Sequence, residues 1–295
     1  MKRILVALAL LLAPVTGSPA LAEAQRPPAE TVPPSPGEQI FLPTVADGVR
    51  DTEQWNRVIG QIWVRNVSRP SLYRVAPKNG RANGRAVIVV PGGGYSFVSI
   101  ESEGFWVAEH LAAQGYTAFV LKYRPRPTAR PAADFARELF DQWEGISEEN
   151  PEDFDYTPAV DDLAAAVALV SERSGEWGLA PDKLGVVGFS AGAQSVIRLL
   201  QRHEEAAVLD HVALIYPPIP EDRAMTLHPD VFVGIARDDF LFGRPTFDMV
   251  ADWHAAGGEV EFHLYSGGSH GFGMRPQGTT SDRWMMQYLA WLDLR

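Results

Sequence analysis

From about residue 40 onward the chain alternates short apolar runs with stretches whose apolar positions recur every three or four residues. The runs at 59–64, 71–75, 86–90, 116–121, 184–187, 212–216, 231–235 and 260–265 are too short for helices and predict about eight strands. Helical periodicity occupies 103–113, 159–176, 191–203, 247–256 and 282–294. Strands that alternate with helices predict an α/β fold: a mostly parallel sheet covered by helices on both faces. No internal repeat is visible.

Two stretches break this rhythm. Residues 23–39 are rich in proline and poor in apolar side chains, which predicts an unfolded leader before a single domain over 40–295. Residues 124–158 carry Pro125, Pro127 and Pro131 and then an acidic run at 148–155, and read as an insertion. Such an excursion over a parallel sheet serves as a lid or pocket wall, or else is a solvated surface loop.

The first 22 residues have a basic start (Lys2, Arg3), an apolar run from Ile4 to Val15 and a small-residue Ala20-Leu-Ala22 end, the three parts of a secretory signal peptide. A periplasmic or secreted protein is expected, without a membrane span, because that run is short and no later one approaches it. With no cysteine there is no disulfide framework and no thiolate chemistry. The net charge of −11 becomes −13 once Lys2 and Arg3 are removed, which argues against a nucleic-acid partner and says little about substrate.

The segment Gly188-Phe-Ser190-Ala-Gly192 closes an apolar strand and opens a helical pattern, the context of a nucleophile elbow, so Ser190 is the candidate nucleophile. A second G-x-S-x-G, Gly267-Gly-Ser269-His-Gly271, lacks a following helix and reads as a decoy. His270, on a glycine-rich loop after the last strand, is the candidate base, whereas His263 within a strand and His254 within a helix read as structural. After the strand at 231–235 stand two carboxylates, Asp238 and Asp239; Asp239 is favoured as the acid, with Asp238 a loop cap or a partner of Arg237. The turn Pro91-Gly-Gly-Gly-Tyr95 follows another strand. The amides of Gly93 and Gly94, with that of Ala191, are the candidate oxyanion hole, and Tyr95 is assigned to substrate binding. Neither a Walker lysine nor a dinucleotide fingerprint accompanies the glycines, and no metal or organic cofactor is called for.

Glycine turn, elbow, acid and histidine in that order resemble the α/β-hydrolases, and more narrowly the secreted esterase and lipase branch with acetylxylan-esterase-like and feruloyl-esterase-like members. The likeness runs from about residue 54 to the C-terminus and rests on residues 66–72, 91–95, 121–124, 188–192 and 269–273. It implies a Ser190–His270–Asp239 triad, and short acyl esters on sugars or xylan as substrates. Two departures stand out: Ala193 replaces a common glycine, and the 124–158 insertion keeps the family's specificity from being carried over directly. Asp162, where the family often has an aspartate, is read as structural support. The rivals are a serine peptidase on the same fold, disfavoured by Ala191 after the serine, and a non-catalytic protein that retains the fold.

Overall fold

The computed structural model describes residues 29–30, 37–58, 60–78, 80–146, 155–218, 225–242 and 247–295. The signal-peptide-like segment and most of the proline-rich leader lie outside them. In chain order the strands are β1 (Ala29–Glu30), β2 (Glu38–Phe41), β3 (Gln54–Val58), β4 (Gln61–Arg65), β5 (Ser71–Val75), β6 (Ala86–Val90), β7 (Thr117–Lys122), β8 (Leu184–Phe189), β9 (Leu209–Ile215), β10 (Asp230–Ala236) and β11 (Val260–Tyr265). The α-helices are α1 (Trp106–Ala113), α2 (Ala132–Ile146), α3 (Thr157–Glu172), α4 (Ala191–Arg202), α5 (Asp248–Ala255) and α6 (Trp284–Leu292).

An eight-stranded sheet runs β11-β10-β9-β8-β6-β7-β5-β2, and only the pairings of β5 with β7 and of β2 with β5 are antiparallel. This is the expected α/β-hydrolase architecture. Its central strands are buried end to end; every residue of β6, β7 and β8 is covered. Each fully buried Val, Leu or Ile there contributes about 1.5–3 kcal/mol of hydrophobic stabilisation. The order reverses between β6 and β8: the chain goes outward from β6 to β7, then returns to β8 on the other side and continues to β11. At such a switch point the loops beyond the carboxyl ends of the two strands part and leave a crevice. The glycine turn and Ser190 lie side by side at this point, because Val90 and Gly188 are in register.

The structure differs from the sequence expectation in three places. The strand expected at 59–64 belongs to a separate three-stranded sheet, β1-β3-β4, and the eighth strand of the main sheet is β2. β2 is a largely exposed edge strand held by backbone pairing of Ile40 with Leu72, so it has no apolar run to betray it. The leader expected to be unfolded contributes Ala29–Glu30, paired with Asn56 and Arg57, and the first two residues of β2. The 124–158 insertion contains α2, whose Phe135 and Leu139 are buried with Trp63 and Phe97 in a satellite apolar cluster. Trp63 stacks on Phe97 with ring centroids 3.9 Å apart. That much of the insertion is a packed wall beside the glycine turn, since the Phe97 amide donates to Gly93 O at 3.2 Å. Among the described residues no helix is long and apolar enough to cross a membrane.

Asp162 lies fully buried in α3, where it accepts from Thr44 Oγ1 at 2.6 Å and from the Arg124 amide and guanidinium at 2.7–3.1 Å. It joins the segment after β2 to the start of the insertion, the structural support expected of it.

Candidate active site

β8 runs straight into α4, and the turn between them leaves Ser190 at φ 50°, ψ −116°, a backbone that L residues occupy only under strain. The close approach explains the small residues around it. A Cβ on Gly192 would sit 2.7 Å from Pro91 O, so only glycine lets the first turn of α4 rest on the end of β6. The amides of Ala191 and its successors open the helix and have no intrahelical acceptor.

The glycine turn presses on the same residue. A Cβ on Gly92 would lie 2.9 Å from Ser190 Cβ, and Gly93 and Gly94 follow at φ 130° and 59°. The turn that carries Gly93 and Gly94, named with Ala191 from the sequence as oxyanion donors, therefore abuts Ser190. The ring of Tyr95 does not. It is 0% exposed, its hydroxyl lies 3.1 Å from Ser195 Oγ, and it packs on Tyr123 and Tyr156, so the substrate-binding assignment is corrected to a core role behind the turn. Burial of the phenol pushes its pKa up, as for a group sealed from water.

His270 arrives from the loop after β11, with its Nε2 2.8 Å from Ser190 Oγ and its Nδ1 2.8 Å from Asp239 Oδ2. A carboxylate only accepts, so Nδ1 carries the proton and Nε2 is left to accept from the serine hydroxyl. Asp239, beyond β10, is itself oriented: its Oδ1 accepts from the amides of Leu241 and Phe242 at 3.0 and 3.2 Å. Asp238 turns the other way and accepts from the Ser269 amide at 2.8 Å. Of the two adjacent carboxylates, one meets the imidazole and the other caps the loop that presents it. The imidazole is walled by Tyr216, Phe242 and Phe240, with ring centroids at 4.9, 5.0 and 6.4 Å. Ser269 of the second G-x-S-x-G sits on that loop at φ 56° with no helix following it, whereas His263 lies on β11 and His254 on α5.

Ser190, His270 and Asp239 are brought together from the ends of three strands, beside a glycine turn at the end of a fourth. The model of the dienelactone hydrolase family matches residues 72–292. The chain belongs to the dienelactone hydrolase family. An acetylxylan esterase of Xylanibacter ruminicola is 25% identical over an alignment of 246 positions, with 71% of this chain and 45% of that protein covered; the chain spans about half the length of this curated relative. An α/β hydrolase enzyme from a Medee basin deep-sea metagenome library shares its fold at a TM-score of 0.58 and 21% identity, covering 88% of this chain and 98% of the other. An acetyl ester-xyloside bifunctional hydrolase from Caldicellulosiruptor lactoaceticus gives 0.55 at 21% identity, covering 76% and 87%. Membership of the dienelactone hydrolase family agrees with the α/β-hydrolase resemblance of the motifs and narrows it.

Sequence reasoning missed Glu103 and Tyr216, which sit beside the site in this dienelactone hydrolase family member. Glu103 begins an apolar helical pattern and reads there as an ordinary first-turn acid. In the structure it is buried inside a π-helical turn closed by the Phe105 amide on Ile100 O at 2.8 Å. The one sequence sign was Gly104 inside a helix pattern: a Cβ there would meet Val120 Cγ1 at 2.9 Å.

Proposed function

We propose that this protein is an exported serine carboxylesterase that hydrolyses short acyl esters, acetyl esters of xylan or related carbohydrates foremost. The observation that carries the mechanism is the unbroken line from Ser190 Oγ through the His270 ring to Asp239 Oδ2, two contacts of 2.8 Å each. In this reading His270 Nε2 takes the hydroxyl proton as Ser190 Oγ bonds to the ester carbonyl carbon. Asp239 holds the ring in its tautomer and stabilises the imidazolium. The carbonyl oxygen, now an oxyanion, faces the amides of Gly93, Gly94 and Ala191; each donor to such a site is worth about two to three orders of magnitude in rate.

The imidazolium then returns its proton to the departing alcohol, leaving an acyl-enzyme. Water, deprotonated by the same imidazole, adds to the acyl carbon, and collapse releases the acid and restores the hydroxyl. No metal or organic cofactor enters these steps. The acetyl-carbohydrate substrate is supported by the acetylxylan esterase relative, and export by the tripartite pattern of residues 1–22.

Turnover of 4-nitrophenyl acetate and release of acetate from acetylated xylan, each lost in Ser190→Ala, are the expected outcomes. Inertness of the wild-type protein toward both, together with no covalent labelling of Ser190 by a fluorophosphonate, overturns the proposal. Cleavage of peptide amides without ester turnover would favour the peptidase instead.

A further inference from the structure

One buried carboxyl at the site has no part in the steps above. Glu103 is 6% exposed, and its two oxygens hold two different elements. Oε2 accepts from the Gly92 amide at 2.8 Å, at the start of the glycine turn. Oε1 accepts from the Tyr216 hydroxyl at 2.9 Å, and that hydroxyl in turn accepts from the Gly273 amide at 3.1 Å, three residues beyond His270. The chain of bonds thus runs from the turn beside Ser190, through Glu103 and Tyr216, to the histidine loop. A fourth bond, the Met274 amide on Ser102 O at 3.1 Å, fastens that loop to the π-helical turn carrying Glu103.

Packing repeats the same linkage. The Tyr216 ring meets His270 edge-on at 4.9 Å and Phe272 at 4.6 Å, while a Cβ on Gly273 would lie 3.1 Å from Glu103 Cγ. Burying a carboxyl is costly unless charge and hydrogen bonds compensate, so a core built for stability alone would not place one here. Burial pushes the Glu103 carboxyl above the ordinary glutamate range, while Gly92, Tyr216, His270 and Arg275 pull the other way. The cost is met where one carboxyl, with the Tyr216 hydroxyl, joins the oxyanion turn to the histidine loop.

We infer that Glu103, acting through Tyr216, is a positioning residue that clasps the oxyanion turn to the His270 loop and so fixes the spacing between the oxyanion donors and the base. The inference rests on the proposed esterase mechanism. A clasp of this kind acts on the transition state, in which the proton transfer and the oxyanion must be served together, more than on substrate binding. Glutamine is the informative replacement. It keeps the volume and one acceptor, but its amide group would face a donor, and the Tyr216 hydroxyl proton would lose its acceptor.

The experiment uses the full chain, with 4-nitrophenyl acetate as substrate and a fluorophosphonate to count reactive serines. Rates are expressed per titrated site, so that misfolded protein is not counted. Glu103→Gln and Tyr216→Phe are expected to lower kcat per site about 10- to 100-fold with KM within about threefold, as displaced catalytic groups do. The double variant should lose little more than either single one, because both break the same clasp. Tyr216→Phe keeps the ring packing and decides the matter where Glu103→Gln does not fold. A kcat per site within about threefold of wild type in Tyr216→Phe, or a loss confined to the number of titratable sites, overturns the inference. Failure of the wild-type protein itself to label would instead strike the esterase mechanism on which it rests.

Discussion

Ser190 and Tyr216 leave neighbouring strands with the same backbone abnormality: φ is 50° at the end of β8 and 40° at the end of β9. The two are stitched in sequence, the Ser190 amide to Ile215 O at 3.0 Å and the Tyr216 amide to Gly234 O at 2.7 Å. One kink aims a hydroxyl at the imidazole, and the other sets an aromatic ring steeply inclined against that imidazole. Each such non-glycine residue costs of order 1–3 kcal/mol and persists only where its surroundings hold it.

Relief of that strain is measurable at Ser190. Ser190→Ala and Ser190→Gly should both be inactive, but the glycine variant should melt higher than the alanine variant by about 1 kcal/mol in stability, since glycine reaches positive φ without a Cβ clash. Thermal denaturation of the pair checks this. Equal melting temperatures would mean that the elbow stores no strain.

The two adjacent carboxylates separate just as cleanly. Asp239→Asn keeps the shape of the acid but presents an amide to His270 Nδ1, favouring the wrong tautomer, and should lower kcat by about four orders of magnitude. Asp238→Asn still offers an oxygen to the Ser269 amide and should lower kcat less than about tenfold. Steady-state kinetics on 4-nitrophenyl acetate distinguishes them, and the reverse ranking would assign the acid to Asp238.

What the sequence disclosed was whatever repeats or punctuates. The runs at 71–75, 86–90 and 260–265 coincide with β5, β6 and β11 because short stretches that are apolar throughout, as in β6, or at alternate positions, as in β11, have few alternatives between turns. Ser190 and His270 stood out because glycines flank them. β2 and β3 were invisible because their residues alternate with polar and exposed positions, and α2 was hidden by the prolines that precede it. Glu103 and Tyr216 were marked by nothing but Gly104 beside the former: they are distant in the chain, ordinary in their local patterns, and meaningful only once folding sets carboxyl and hydroxyl 2.9 Å apart. Tyr95 misled for the converse reason, as a residue beside the glycine turn whose side chain points into the core.

Removing the charge on Asp162 should destabilise without touching catalysis. Asp162→Asn leaves the Arg124 guanidinium, about a quarter exposed, without its counter-charge, and the expected loss is about 2–4 kcal/mol. The melting temperature should fall by roughly 5–10 °C while kcat per titrated serine holds. A fall of less than about 1 °C would show that the Arg124 and Thr44 contacts are dispensable.

At the opposite end of the sheet, His211 sets an acid limit on stability. It is 1% exposed, its Nδ1 stands 3.1 Å from Asp210 Oδ2, and its Nε2 accepts from the Tyr288 hydroxyl at 2.9 Å, an arrangement suited to the neutral ring. Burial holds His211 below its ordinary pKa, aided by Arg85 and Arg295 and opposed by Asp210. Above a pH of about 6.5 neither folded nor unfolded chain protonates this group, so it adds no pH dependence there. As the pH falls below about 6.5 the unfolded chain takes up a proton that the folded one refuses, and stability declines by up to about 1.4 kcal/mol per pH unit. Asp210, drawn down to about 2 chiefly by the His211 hydrogen bond and then by Lys183, gives a later loss, present above about pH 4 and surrendered below it. Melting temperatures between pH 7 and pH 5 should therefore fall for the wild-type protein and fall less for His211→Gln, which cannot titrate. Parallel curves for the two proteins would remove His211 as the cause.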